Sequence, residues 1–594
     1  MRTTSSRKRL ARCVLALLLL ASGLPLFGQC TFPTPTSVNV LNYSFDPVVN
    51  EGRLSLRVTL EFGGGYAGKA MLELPSEWAG QQHAEKSITE LKALSAETTL
   101  TDKSPSEKEL QFPPGMPVRI SYVLVKDWDG PLNSGTRFRA DLSPEYFHIV
   151  GVTSLAHPQL DDSAIVDVHF DWQKLPAEWS LATSFGTDDR CQSFHGRWHE
   201  AINSLFVGGD YRIYRTTLSG NVLNFAIRGK WAFSDNEWVS EVRKIMEFER
   251  TFWHDNDFPY FLVTLTPLGQ DRGSTGGTAL TNAFMMHLSR LDPLATNTLA
   301  TIAHETFHTW NSHKMGDRPK SDYSVSWFSE GFTVYYADLI LFRAGMISFP
   351  DYVKSINEKL RKYEVGEGIE VGLQDFIRRH SADDSVLSQL DYRRGTVLAL
   401  WLDAAIRQKS GNRLSLDNLM FDLVRQNTEY NRRHGKPMVL TNKRIFRAAS
   451  KYIHRDSRKT LREYVEQGGT IRVQETALGP CVRSRVEPDV KFDLGFDRRS
   501  IDRRPTTGDR IAFGVEPGSE AYKAGLRDGQ KLVGWSFNFG DTAKEVRLRT
   551  ETAHGDLILT YYPRGAKVSL QQFSLDEEKY SSNSGQCTAL LEAQ

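Results

Sequence analysis

The chain has 594 residues, 40% of them hydrophobic, with 73 Lys and Arg against 72 Asp and Glu for a formal net charge of +1. A chain this long with ordinary apolar content supports three or four domains, each with its own core. The charge balance leaves no footprint for nucleic acid, and the Lys and Arg clusters between 425 and 462 stand among apolar residues at helical spacing, as solvated helix faces do.

The first residues read as an address. Arg2, Arg7, Lys8, Arg9 and Arg12 precede an apolar run from Cys13 to Phe27 broken by Gly23 and Pro25, so residues 1–28 are expected to be a secretory signal peptide. That run is short of the roughly 20 apolar residues of a spanning helix, and no later stretch is apolar enough to be one. The mature protein is therefore expected to be soluble, secreted or periplasmic. Lipoprotein anchoring at Cys30 is disfavoured because Gln29 replaces the small residue that precedes such a cysteine. Besides Cys13, cysteines stand at 30, 191, 481 and 587, an even number that permits two disulfides in any of three connectivities.

From 37 to 200 the chain predicts a β domain: LSLRVTLEF, VRISYVLVKDW, FHIVGV and AIVDVHFDW alternate or run apolar between Gly, Pro and Asn turns, and no cluster there carries chemistry. Residues 201–345 open with strands, then SDNEWVSEVRKIMEFERTFW as a helix with Ser234 and Asp235 as capping candidates, then the buried strand FPYFLVTLTP. Within TIAHETFHTW, His304 and His308 are four apart, one turn along one helix face, and both imidazoles can hold one metal ion. Glu305, one residue round, cannot share that direction but can reach a water on the open side of the metal. A catalytic zinc ion takes a third protein ligand. Glu330 is the candidate, because WFSEGFT follows a Gly- and Pro-containing loop and opens an apolar run that reads as a returning helix. His313 fits neither the face nor the spacing and reads as a loop histidine. From 346 to 475 the apolar spacing is helical throughout.

HETFHTWN paired with WFSEGFTVYYADLILFRAGMIS resembles the glycyl aminopeptidase family of zinc metallopeptidases, within the thermolysin-like group whose third ligand is a glutamate. The resemblance extends through QLDYRRGTVLALWLDAAIRQ and implies a multidomain α+β chain with an N-terminal β domain, a thermolysin-like catalytic domain and a helical domain. It implies one Zn2+ per chain on His304, His308 and Glu330, Glu305 as general base, and Tyr392 of the Tyr-x-x-Gly motif as donor to the oxyanion. Gly276 and Gly277 match the start of the strand that binds substrate backbone, with an ordinary turn as the plain alternative, yet GGTALTN lacks the glutamate with which relatives hold the substrate's free amino group. FDLGFD and FGVEPGSEAYKAGLRDG resemble a PDZ domain, which implies a C-terminal PDZ-like β domain over 485–578 whose carboxylate loop would be Leu494, Gly495 and Phe496, with Asp493 in place of the usual first glycine and peptide C-termini as its partners. The expected function is an exported zinc metallopeptidase acting on peptides or proteins, aminopeptidase-like but with endo- or oligopeptidase action open. The alternative is a non-catalytic exported peptide-binding protein that works through the PDZ domain.

Overall fold

The computed structural model describes residues 30–592 apart from 271, 312, 319–322, 367, 382–386, 388, 502–509, 539 and 554. The expected signal peptide thus lies outside the described residues. The chain is a multidomain mixture of α and β structure.

Residues up to Gly209 build three sheets, with the main core between them and a second cluster around Val150, Ala182, Leu205 and Val207. The largest runs in the order Cys191–Arg197, Ile165–Asp171, Val40–Asn50, Arg53–Gly63, Pro117–Leu124, Ile88–Ala93. Its strands alternate as a half-buried sheet must: Leu41, Tyr43 and Phe45 face in from one strand, and Leu54, Leu56, Val58, Leu60 and Phe62 from the next. Of the three possible disulfide pairings, the structure adopts Cys30–Cys191, which ties the start of the described chain to this sheet, and Cys481–Cys587. The first leaves no free thiol at Cys30 for a lipid.

The next sheet runs Arg212–Leu218, Asn221–Ile227, Tyr260–Leu268, Ala283–Ser289, Thr275–Leu280. Its three middle strands are parallel and buried on both faces, which explains the unbroken apolar runs there. The helix Asp235–Phe252 packs on it, and the Ser234 side chain accepts a hydrogen bond from the Glu237 amide as its cap. Thr275–Leu280 pairs only with Ala283–Ser289, antiparallel, and so leaves an open edge. Gly276 and Gly277 are therefore strand residues, not a turn.

Beyond it the chain is helical. Leu390–Ser410 lies at the centre, buried on every side from Arg394 to Arg407, because Gly331–Arg343, Phe349–Glu364, Leu416–His434 and Arg455–Glu466 all pack on it. Its buried Arg407 is paired within the helix: the Arg407 Nε donates to Asp403 Oδ2 at 2.8 Å, and the Tyr335 hydroxyl donates to the same oxygen at 3.1 Å. No helix among the described residues is long and apolar enough to cross a membrane.

The C-terminal part begins with Val482–Phe492, paired antiparallel with Arg564–Leu575. Between these strands hangs a three-stranded sheet of Lys531–Ser536, Val546–Thr552 and Gly555–Tyr561 with its own small core. The base of the pair joins the helical core, where Cys481, Phe573 and Cys587 are buried, and Arg361 clamps the unit through Asp489, the Gly540 carbonyl and the Thr542 hydroxyl.

Candidate metal centre and cleft

His304 lies in the last turn of the helix Thr296–Phe307 and His308 is the residue that caps its end. Glu330 occupies the joint between the short helix Ser326–Ser329 and the helix Gly331–Arg343, which returns across the first. The two Nε2 atoms are 3.0 Å apart, and Glu330 Oε2 is 3.5 Å from His304 Nε2 and 3.3 Å from His308 Nε2. Two donors 2.0–2.1 Å from one tetrahedral ion stand about 3.3 Å apart, so the three atoms are spaced as ligands of a single cation. The donor set of two imidazoles and a carboxylate suits zinc, and the trio is the group among the described residues that could hold a metal. The sides of all three are only 13–15% exposed. His313 is exposed beyond the helix and outside the trio.

The surroundings fix each ligand. His308 Nδ1 meets the Asn311 carbonyl oxygen at 2.8 Å, which makes that nitrogen the donor and leaves Nε2 with its lone pair facing inward. Asn311 in turn donates from its side chain to the carbonyls of Phe328 and Ser329 and to the Thr333 hydroxyl, bridging the histidine helix to the glutamate helix. Arg318 donates to the Ser329 hydroxyl at 2.7 Å and lies 3.7 Å from Glu330. Burial alone would raise the Glu330 pKa, yet His308 and His304 outweigh it and hold the carboxylate well below its usual range. Burial likewise opposes charge on His308, but Glu330 and Glu305 carry its pKa upward.

Glu305 reaches the edge strand: a Cβ placed on Gly277 would meet its Cγ at 2.9 Å, and the Met285 carbonyl oxygen and Met286 sulfur at 2.8 Å. Glycine at 277 is thus required by the close approach of the neighbouring strand and of the carboxylate stem together. Burial raises the Glu305 pKa, with His304 and His308 pulling against it, so this carboxyl is poised closer to neutrality than a solvated one. Tyr392 stacks on His304 with ring centroids 6.2 Å apart. Burial first, then the Glu330 carboxylate, pushes its hydroxyl well above the ordinary tyrosine pKa, so it remains a proton donor. The Tyr-x-x-Gly motif is a turn of helix inside Leu390–Ser410, and its glycine serves close packing: a Cβ on Gly395 would lie 2.8 Å from the Trp327 carbonyl carbon and 2.9 Å from Gly331 Cα. Two glycines at the crossing bring Tyr392 beside Glu330.

Gly276 faces the other way. A Cβ there would meet the Arg137 guanidinium at 3.1 Å. Arg137 belongs to the β domain, where the sequence shows no chemistry; nothing in its local pattern tells it from any other loop arginine. The expected carboxylate loop sits elsewhere. Leu494 and Phe496 are buried at 2% and 7% exposure, and Gly495, at φ +73°, donates its amide to Asp493 Oδ1 at 2.7 Å.

The family model of the M61 glycyl aminopeptidases matches residues 297–383, a stretch that includes His304, Glu305, His308 and Glu330. An aminopeptidase N family protein from Idiomarina loihiensis shares the fold: at 18% identity and a TM-score of 0.70, the match covers 93% of this chain and all of that one. An M1 zinc metallopeptidase from Deinococcus radiodurans aligns more loosely, at 15% identity and a TM-score of 0.46, over 74% of this chain and 95% of its own. No curated protein matches the sequence.

Proposed function

The chain being a metallopeptidase, we propose that it is an exported zinc enzyme of the aminopeptidase-like type that hydrolyses peptide bonds at His304, His308 and Glu330. The observation that carries this reading is the convergence of three donor atoms beside a phenol, stacked on His304, and a carboxyl whose stem lies against the open edge strand. Zinc held by the trio would supply Lewis acidity to a water molecule and to the scissile carbonyl. Glu305 takes the proton of the attacking water and passes it to the leaving amine, a transfer favoured by a carboxyl whose pKa burial has raised. Tyr392, a neutral donor held against His304, gives a hydrogen bond to the oxygen on which negative charge develops. The substrate backbone lies along Thr275–Leu280, where Gly276 and Gly277 leave the strand edge bare. Two disulfides support folding in an oxidising compartment, as the expected signal peptide requires.

Residues 485–578 are proposed as a PDZ-like module, supported by the small separate core around Phe492, Leu494 and Phe496. Asp493 already occupies the Gly495 amide and would repel a chain-end carboxylate, so peptide capture at this loop requires Asp493 to turn away. The test of the enzyme is hydrolysis of a peptide library before and after chelation. Activity that chelation abolishes and zinc restores is the expected result; activity indifferent to chelation overturns the proposal.

A further inference from the structure

The segment between Asp127 and Ala140 leaves the β domain and docks on the metal-binding half. The Gly269 amide donates to the Leu132 carbonyl at 2.7 Å, and the segment is braced by Arg139, which pairs with Asp127 and donates to the carbonyls of Gln82 and His83. This scaffold delivers Arg137 to Gly276, so the edge strand has a guanidinium on one face and Glu305 on the other. A peptide laid along the open edge passes between them.

Arg137 is not at rest there. Of the five N–H donors of a guanidinium, one from Nη1 reaches the Ser134 carbonyl at 3.1 Å, and the buried Nε has no acceptor. Among the described residues no carboxylate pairs with it. His287, opposite Gly276 in the strand register, and His148, at 5.2 Å from His287 by ring centroid, are buried beside it, and burial holds both neutral, so they offer no counter-charge. A half-buried planar cation with free donors, within the field of Glu305 but forked to no carboxylate among the described residues, is arranged to receive a carboxylate in a forked pair.

We propose that Arg137 is a substrate-anchoring residue whose guanidinium binds a carboxylate of the peptide, either an acidic side chain next to the cleaved bond or the free chain end. The cleft is thus built for an anion at the strand where the ammonium-binding glutamate of related peptidases is missing. This rests on the peptidase reading above and names its substrate class.

The test measures kcat/KM for matched peptides carrying Glu or Gln on either side of the cleaved bond, and for one peptide as C-terminal acid and amide. The carboxylate member of one pair is expected to be favoured by about tenfold to a hundredfold, the range of a charged hydrogen bond. Whichever pair shows the ratio identifies the source of the carboxylate. Arg137→Gln should bring that ratio toward one, and Arg137→Lys, which keeps the charge but loses the fork, should retain part of it. A wild-type protein blind to every pair, or an Arg137→Gln ratio equal to wild type, overturns the anchor. Calorimetric binding of the same peptides to zinc-loaded Glu305→Gln protein separates the two readings. Discrimination through Arg137 without any hydrolysis by the wild type sinks the peptidase and keeps the anchor; hydrolysis without discrimination does the reverse.

Discussion

Replacing Gly395 by alanine should break the site from behind. In a helix interior, Gly→Ala ordinarily stabilises by about 1 kcal/mol, since alanine has the higher propensity. Here the added Cβ would lie 2.8 Å from the Trp327 carbonyl carbon and 2.9 Å from Gly331 Cα, both backbone atoms that no rotamer can move. Carbon atoms rest about 3.5–4.0 Å apart, and the Trp327 carbonyl oxygen would stand closer to the new Cβ than either carbon, so the helices must separate by at least about 1 Å. Overpacking of this kind costs about 1–3 kcal/mol, which reverses the sign expected from propensity. The displacement also parts Tyr392 from Glu330, because Trp327 lies three residues before the ligand and Gly395 three after the tyrosine. A misplacement of about 1 Å can cost a hundredfold in rate. Chemical denaturation followed by circular dichroism gives the stability, and steady-state turnover of a peptide gives the rate. A Gly395→Ala protein as stable and as active as wild type would refute the close-crossing argument.

Tyr392→Phe should lower turnover about a hundredfold to a thousandfold with little change in substrate affinity, because the hydroxyl acts on the transition state; a loss confined to affinity would assign the ring to packing. Acetylating the N-terminus of a peptide substrate should leave cleavage at a comparable rate, since GGTALTN supplies no anionic partner for an ammonium group; abolition by acetylation, with residues lost singly from the free form, would show an anchor supplied from elsewhere. Glu249, fully buried and without a hydrogen-bond partner among the described residues, has its pKa pushed well above the carboxylate range by burial. A folded pKa above the unfolded one gives stability that is complete below about pH 4.3 and is lost as pH rises through the folded pKa. Glu249→Gln should therefore raise the melting temperature at pH 8 relative to wild type and leave it little changed at pH 4; equal shifts at both would exclude titration of this group.

What the sequence made legible was what local spacing encodes. His304, Glu305 and His308 are fixed by helical periodicity, and Glu330 by the onset of the returning helix, so the structure finds them where the pattern points. Tyr392 is 62 positions beyond Glu330, and only the resemblance marked it; the cause of its placement is the Gly331–Gly395 crossing, which no periodicity reveals. Gly276 and Gly277 have an ordinary turn as the plain alternative in sequence, and the pairing with Ala283–Ser289 makes them an edge strand. The disulfide partners depend on contacts 161 and 106 residues apart. Arg137 was invisible for the same reason: its place beside Gly276 comes from the docking of one domain on another, through backbone contacts such as Gly269 to Leu132.

The central claim is that metal binding and proton transfer reside in different side chains of one turn. It is tested most directly by zinc content and peptide turnover measured together on Glu305→Gln, a change that leaves His304, His308 and Glu330 untouched. The account predicts about one zinc per chain, as in wild type, with hydrolysis lost by orders of magnitude. Full zinc content with wild-type turnover would contradict it.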